Sequence, residues 1–169
     1  MIAETSAQVT IISVPFSAIT DAPNAANLIR AYAAECLVPD AEPQPAIYEV
    51  MEKAGVLKCF AAYLDDHLIG FCSVLSAIVP HDGHLVATTE SLFVDPAYRH
   101  TSAFEDLFST AEDYATQAGC RVLTCGARIG SRLDKVLARR AGFAATHTQH
   151  TKWLGDFRPR FVESKGEQP

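Results

Sequence analysis

The chain has 169 residues, of which 49% are hydrophobic and 20% are charged, and its net charge is −6 at neutral pH. These values are typical of a soluble globular protein with a single core, and the negative net charge argues against general nucleic-acid binding. The sequence has no signal peptide and no apolar run of membrane-spanning length, so we expect a soluble, cytoplasmic protein without membrane association.

Apolar spacing divides the first half of the chain into a strand, two helices and a hairpin. Pro15 limits the first strand, and Asp21 or Asn24 is the candidate cap of the first helix. The short polar link Asp65-Asp66-His67 favours an antiparallel hairpin. The predicted segments are a strand at 9–15, helices at 26–36 and about 46–54, and hairpin strands at 58–64 and 68–75.

The second half alternates strands and helices, and apolar residues at helical spacing from Phe104 to Ala118 predict a helix with one apolar stripe. Asp95-Pro96 stops the central strand, because proline has no N–H to continue a ladder. Ser131 is the expected cap of the last helix, with Asp134 three residues on, and Gly142 is placed to end that helix. The predicted segments are strands at 87–94 and 121–125, helices from Phe104 and Ser131, a final strand at 143–154, and a loosely held tail at 155–169.

The loop between the central strand and its helix, residues 97–103, opens onto a helix N-terminus. Such a loop presents backbone N–H groups without intrahelical partners and the positive end of the helix dipole. It therefore suits an anion such as a phosphate.

The cysteines and histidines do not indicate a metal or disulfide site. His81 and His84 have the spacing of a ligand pair, but they lie in a Pro/Gly turn with no third ligand in evidence. The cysteines are odd in number and lack paired short spacings, which favours reduced thiols in a cytosolic protein; they are Cys36, Cys59, Cys72, Cys120 and Cys125.

The run Leu92-Phe-Val-Asp-Pro-Ala-Tyr-Arg99 resembles the acyl-CoA-binding core of the GNAT acyltransferase family, which has Val-x-Pro-x-Tyr-Arg, a glycine-containing loop and a helix. The segment Ser131-Arg-Leu-Asp-Lys-Val-Leu-Ala-Arg-Arg-Ala-Gly142-Phe143 resembles the family's closing helix. The resemblance covers roughly residues 8–154, and it extends loosely to GNAT-like proteins of bacteriophages and prophages.

The resemblance implies a fold and an activity. The fold is one α/β domain at 1–154, a mixed and mostly antiparallel sheet flanked by helices, in the order β-α-α-β-β-β-α-β-α-β. The activity is transfer of an acetyl group from acetyl-CoA to an amine, by direct attack in a ternary complex. The acceptor is not identified, and a homodimer is one option because dimers are common for the fold.

The resemblance also assigns roles to particular backbone groups. In the family the central strand splays from its neighbour, so that its backbone pairs with the pantetheine arm of CoA, while the loop amides hold the pyrophosphate. The implied pantetheine residues are Leu92, Phe93 and Val94, and the implied pyrophosphate residues are Arg99, His100, Thr101, Ser102, Ala103 and Phe104.

Several positions depart from the family pattern. Ser102 and Phe104 replace loop glycines, Glu105 and Asp106 place carboxylates where a pyrophosphate would be repelled, and Ala138 stands where a proton-donating tyrosine is usual. These departures keep a second hypothesis open, a non-catalytic binding protein with the same fold and a degenerate CoA loop.

Glu90 is the candidate catalytic residue. It lies two residues before Leu92, so in a regular strand both side chains face the same side. Some family members use a glutamate on this strand as a general base, directly or through water, to deprotonate the amine. The alternative for Glu90 is a salt bridge or polar contact at the strand end. An acyl-cysteine route is less attractive, since no cysteine adjoins an obvious base.

Overall fold

A computed structural model describes residues 8–36 and 42–150. Contacts between Cα atoms divide the chain into a first unit, Met1–Cys125, and a second unit, Gly126–Pro169. The first unit contains β1 Val9–Val14, α1 Phe16–Thr20, α2 Ala25–Glu35, α3 Pro45–Lys53, β2 Leu57–Leu64, β3 His67–Ile78, β4 Leu85–Val94, a 3-10 turn Pro96–Tyr98, α4 Ala103–Gln117 and β5 Val122–Cys125; the second contains α5 Arg132–Leu137.

The five strands form one sheet in the order β1-β2-β3-β4-β5. The first three pairings are antiparallel, and β4 pairs with β5 in parallel. The hairpin predicted around Asp65 is therefore confirmed, as is the mixed, mostly antiparallel sheet flanked by helices. The prediction that the whole of 1–154 is one domain stays a prediction.

Two apolar clusters pack on the sheet. One contains α4 through Leu107 and Ala111, both fully buried, which confirms the apolar stripe predicted for this helix. The other contains Phe16 of α1 and Leu28 of α2, packed with strand residues such as Phe93. Full burial of a side chain such as Leu107 contributes about 1.5–3 kcal/mol.

Gly70 of β3 lies where β3, β4 and α4 come together. A Cβ at this position would lie 2.7 Å from the Phe93 carbonyl oxygen and 3.3 Å from Cδ1 of Leu107. Because backbone cannot yield as a flexible side chain can, only glycine fits this contact.

The start of the helical region differs from the prediction. A short helix, α1, precedes α2 because Pro15 ends β1 and already has an extended conformation that leads into a helix. Asn24, not Asp21, is the N-cap residue of α2, but its side chain does not cap the helix. Its Nδ2 instead donates to the Leu68 carbonyl oxygen at 2.7 Å, which links α2 to β3.

The second unit confirms the predicted cap of α5 and corrects its end. The Ser131 hydroxyl accepts a hydrogen bond from the Asp134 N–H at 3.1 Å. The helix ends at Leu137, before Gly142, whose φ is +82°. Residues 143–150 form no strand, since nearly all of them are polar or small and exposed; the rest of the predicted final strand, 151–154, and the tail lie outside the described residues.

Candidate active site at the fork between β4 and β5

β4 and β5 separate halfway along β4, and we call the point of separation the fork. Their parallel pairing covers Val86–Thr89 against Val122–Cys125 and then stops. β4 continues to Val94 and remains paired with β3 on its other side. Within the described chain, residues 90–94 therefore have no strand partner on the edge that faces β5. We call this the open edge.

Backbone alternation decides which groups the open edge presents. The Asp95 N–H donates to the Ile69 carbonyl oxygen of β3 at 2.9 Å. Since successive backbone groups of a strand point to opposite sides, Phe93 also faces β3, whereas Leu92 and Val94 face the open edge. Two of the three residues predicted to pair with an extended ligand thus present their backbone there, and Phe93 does not.

Glu90 lies at the fork, in a β-bulge. Ser73 pairs with Ser91 and Val74 pairs with Thr89, so Glu90 is an extra residue in β4. Its carboxylate contacts Ser73, which also adjoins Ser91, whereas Leu92 packs against the α4 cluster on the opposite face. The expectation that Glu90 and Leu92 face the same side is therefore wrong, because the extra residue interrupts the two-residue period.

Both carboxylate oxygens of Glu90 accept a hydrogen bond. The Tyr48 hydroxyl donates to Oε1 at 3.1 Å, and the Ser73 hydroxyl donates to Oε2 at 3.1 Å. The Tyr32 hydroxyl lies 3.5 Å from the Glu90 carbonyl oxygen, which is long for a hydrogen bond. The Glu90 side chain nevertheless remains exposed, so a ligand at the fork can reach it.

The titratable groups around Glu90 are held in their protonated forms. Burial, followed by the nearby Glu90 carboxylate, raises the pKa of Tyr48. Burial, followed by Glu52 and then Glu90, raises the pKa of Cys59 to about 12. Burial also raises the pKa of Tyr32. All three groups are therefore neutral at physiological pH and add no negative charge beside the carboxylate, and Tyr48 is the one that donates a hydrogen bond to it.

The loop before α4 uses some of its amides internally. The Thr101 N–H donates to the Tyr98 carbonyl oxygen at 3.0 Å, and the Ala103 N–H donates to the Thr101 hydroxyl at 3.3 Å. Within the described chain, the N–H groups of His100, Ser102 and Phe104 have no acceptor. These three amides, rather than all six predicted ones, are available for an anion.

The two positions where the family has glycine need no unusual backbone. Ser102 has φ −74° and ψ −4°, in the ordinary right-handed region. Phe104 turns its ring toward Phe108, with centroids 5.8 Å apart, and packs against the α4 cluster. The large side chain at 104 is therefore directed away from the loop amides. The Ser102 hydroxyl, however, donates to Asp106 Oδ2 at 2.6 Å and is not free for a phosphate.

Arg99 has partners on three sides. Its Nε donates to the Val94 carbonyl oxygen at 2.8 Å, and its terminal nitrogen pairs with Glu35 Oε1 at 2.6 Å. The guanidinium also lies 5.4 Å from the centre of the Phe93 ring. The side chain thus links the end of β4 to the end of α2. The Arg99 backbone N–H donates to the Pro96 carbonyl oxygen at 3.5 Å, so neither the side chain nor the amide of Arg99 is one of the groups available for an anion.

Sequence reasoning did not find Tyr48 and Ser73. Tyr48 was one of several apolar-spaced residues in a short helix, and Ser73 was one strand residue among many. No local signal marks a residue whose partner is 42 positions away. Ala138, where the resemblance places a tyrosine, is the C-cap residue of α5 in the second unit.

Other features of the described residues add no further site. None of their helices is both long enough and apolar enough to cross a bilayer, and none of their His, Cys, Asp and Glu side chains cluster as metal ligands would. A shallow pocket of about 480 Å³ lies beside β1 and is lined by Glu52, Lys58 and Tyr114, among others, but by none of the predicted site residues.

Comparison with known proteins places the chain in a recognisable group. The sequence model of the acetyltransferase (GNAT) family matches residues 26–143. Comparison with curated proteins found none that is significantly similar to this chain in sequence.

Solved structures share the fold at low sequence identity. A ribosomal-protein-alanine N-acetyltransferase from Brucella melitensis biovar Abortus 2308 is 19% identical, with a TM-score of 0.66 over 88% of this chain and 100% of its own. An aminoglycoside acetyltransferase from a soil metagenomic sample, in complex with sisomicin, is 16% identical, with a TM-score of 0.67 over 86% and 95%. The acetyltransferase AAC(6')-Iy, in complex with a CoA-containing bisubstrate analogue, is 20% identical, with a TM-score of 0.65 over 86% and 97%.

Proposed function

The chain belongs to the GNAT acetyltransferase family, and from that membership we propose that it transfers the acetyl group of acetyl-CoA to an amine. The observation that carries the proposal is the position of Glu90. An exposed carboxylate, fixed by two hydrogen bonds, lies at the point where β4 loses its second strand partner.

The open edge suits the extended, amide-containing arm of CoA. Leu92 and Val94 present backbone groups there, and an arm lying along the edge would add hydrogen bonds as another strand would. The Val94 carbonyl oxygen already accepts from Arg99, so an incoming arm pairs chiefly with Leu92 and with the Val94 N–H.

The loop suits the pyrophosphate of CoA, but it offers fewer backbone amides than the resemblance implies. The unpaired amides of His100, Ser102 and Phe104 lie at the positive end of α4, where an anion is stabilised. Glu105 and Asp106 in the first turn act in the opposite direction, so we expect weaker CoA binding than a glycine-containing loop would provide.

The residues at the fork then have simple roles. Bound acetyl-CoA supplies a thioester carbonyl; Glu90, directly or through one water, takes a proton from the ammonium form of the acceptor. The neutral amine attacks the thioester carbonyl, a C–N bond forms and the C–S bond breaks; the second proton of the attacking nitrogen passes to the departing thiolate, directly or through solvent. The proton on Glu90 returns to solvent, because the side chain is exposed. The thiolate needs no donor on the chain, since CoA is a tolerable leaving group.

The second hypothesis, a binding protein without chemistry, has less support. It rested on the changed glycines, the acidic first turn and Ala138. Phe104 directs its ring away from the loop amides and Ser102 has an ordinary backbone conformation, so neither replacement obstructs the loop.

Calorimetric titration with acetyl-CoA, with CoA as a second ligand, is the first test. We expect micromolar binding that weakens at least tenfold in Ser102→Glu, because a third carboxylate would adjoin the loop amides. Ser109→Glu adds the same charge at an exposed position further along α4 and serves as the matched control. An absence of binding at millimolar acetyl-CoA would overturn the proposal.

Glu90→Gln tests the chemistry once an acceptor is found by screening polyamines, aminoglycosides and peptides with free N-termini. Loss of a general base lowers kcat by roughly 10²–10⁴-fold, while acetyl-CoA affinity stays the same because the carboxylate is not part of the loop. Unchanged kcat would remove Glu90 from the mechanism.

A further inference from the structure

We propose that Tyr48 and Ser73 are positioning residues for Glu90, and that the Phe16–Tyr48 stack is the support that places the Tyr48 hydroxyl. This inference rests on the proposed function, because it concerns the same site. It adds three residues to which the family resemblance assigns no role.

The carboxylate is restrained from two directions. Tyr48 approaches Oε1 from α3, and Ser73 approaches Oε2 from the neighbouring strand β3, each at 3.1 Å. A glutamate at an exposed bulge would otherwise sample several rotamers. With one donor on each oxygen, the plane of the carboxylate is fixed, and the remaining lone pairs are left for a ligand at the fork.

The Tyr48 hydroxyl is itself held in place. Its ring stacks on Phe16, with centroids 3.7 Å apart and an interplanar angle of 13°. The Phe16 N–H donates to Glu52 Oε1 of α3 at 2.7 Å, so α1 and α3 are joined both at the rings and at the backbone. Phe16 is only 7% exposed, which leaves the stack little freedom to move.

Ser73 is restrained in the same way. Its side chain is 1% exposed, and its hydroxyl adjoins the Ser91 hydroxyl as well as Glu90. Because Ser73 is directly opposite Ser91 across the ladder, the bulge that carries Glu90 places the carboxylate over this pair. The hydroxyl therefore has Glu90 as an acceptor without any rearrangement of the strand.

A positioning role predicts a particular kinetic signature. Tyr48→Phe keeps the ring and its stack on Phe16 and removes only the hydroxyl. Misplacement of a catalytic group by about 1 Å can cost up to about 10²-fold in rate, so we expect kcat to fall roughly tenfold in Tyr48→Phe and in Ser73→Ala. The KM for acetyl-CoA should stay within about twofold, since neither residue lies at the loop or the open edge.

The matched control is Tyr114→Phe, which removes a phenolic hydroxyl from α4. The Tyr114 ring packs edge-on against Phe60 in the α4 cluster. It should leave kcat unchanged. In the Glu90→Gln background, Tyr48→Phe should have no further effect on kcat, because a positioning residue acts only through the base. A kcat unchanged by both Tyr48→Phe and Ser73→Ala overturns the inference, as does an equal loss in the Glu90→Gln background.

A measurement without substrates separates this inference from the proposed function. In protein labelled with ¹³C-tyrosine, Glu90→Gln should shift the Tyr48 ring resonance and leave the Tyr114 resonance in place. If both resonances are unchanged, Tyr48 does not contact the carboxylate and the inference fails, even where acetylation is observed. If Tyr48 shifts but no amine is acetylated, the contact stands and the proposed function fails.

Discussion

Arg99 has the motif position of a phosphate-binding residue but the contacts of a structural one. Its guanidinium bonds the Val94 carbonyl oxygen, pairs with Glu35 and lies over the Phe93 ring. Only a guanidinium can make these three contacts together, because its donors form a planar fork that also stacks on aromatic rings. Arg99 therefore shapes the candidate site by fixing the end of β4 against α2.

Arg99→Lys should consequently lower the free energy of unfolding by roughly 1.5–3 kcal/mol, the range for hydrogen bonds of charged groups. Acetyl-CoA affinity should change by less than about threefold, because the loop amides stay in place. Urea unfolding and calorimetry measure the two effects. Arg30→Lys, which affects only a bond to Asn27 within α2, is the control. A large loss of affinity with unchanged stability would instead assign the guanidinium to the phosphate.

The pairing of β3 with β4 depends on the absence of a side chain at position 70. Gly70 brings the Phe93 carbonyl oxygen, Val94 and Leu107 within 3.3 Å of where a Cβ would be. This contact lies directly under the open edge, because Phe93 and Val94 form the end of β4. The end of β4, which forms the open edge, is thus held on its other side by the close approach of β3.

We expect Gly70→Ala to destabilise the protein by about 1–3 kcal/mol, the usual cost of overpacking, because a backbone oxygen must shift. It should also weaken acetyl-CoA binding, since that oxygen belongs to β4. The urea midpoint and calorimetric titration give both values. Gly83→Ala, at a turn with open space around it, tests backbone conformation alone, since its φ is +72°. A Gly70→Ala protein as stable as the wild type would show that β3 and β4 can separate at no cost.

Elements with a clear apolar period were predictable from the sequence, and features set by tertiary contact were not. The stripe of Leu107 and Ala111 identified α4, and Ser131 with Asp134 identified the start of α5. The bulge at Glu90 was missed because an inserted residue leaves the composition of a strand unchanged. The contact of Tyr48 with Glu90 was missed for the same kind of reason, since it exists only after α3 packs on the sheet.

At the scale of the whole molecule, buried thiols and phenols make the stability of the fold decrease at alkaline pH. Burial is the largest cause of a raised pKa for three thiols and two phenols: Cys59, Cys72, Cys125, Tyr32 and Tyr48. Above the ordinary thiol pKa of 9.0, the unfolded chain releases protons that the folded chain retains. The folded state then binds more protons than the unfolded state, so stability falls as pH rises.

The urea midpoint should therefore be steady below pH 9.0 and should decline from there toward about 12, the value to which the pKa of Cys59 is raised. Cys59→Ala should make the decline shallower, because one of the contributing groups is gone. Equilibrium unfolding at a series of alkaline pH values measures both slopes. A midpoint that stays constant or rises over this range would contradict the expectation.

Because of the bulge in β4, Glu90 has no pairing partner in β3. Thr89 pairs with Val74 and Ser91 pairs with Ser73, which are adjacent, so a β4 shorter by this one residue would pair with β3 without interruption. Every side chain before and after it would keep its present face, because the two-residue period would then be unbroken. The proposed chemistry thus depends on a residue that the β3–β4 ladder does not require. A lineage that lost this single codon would keep the pairing of β3 with β4 while giving up the proposed reaction.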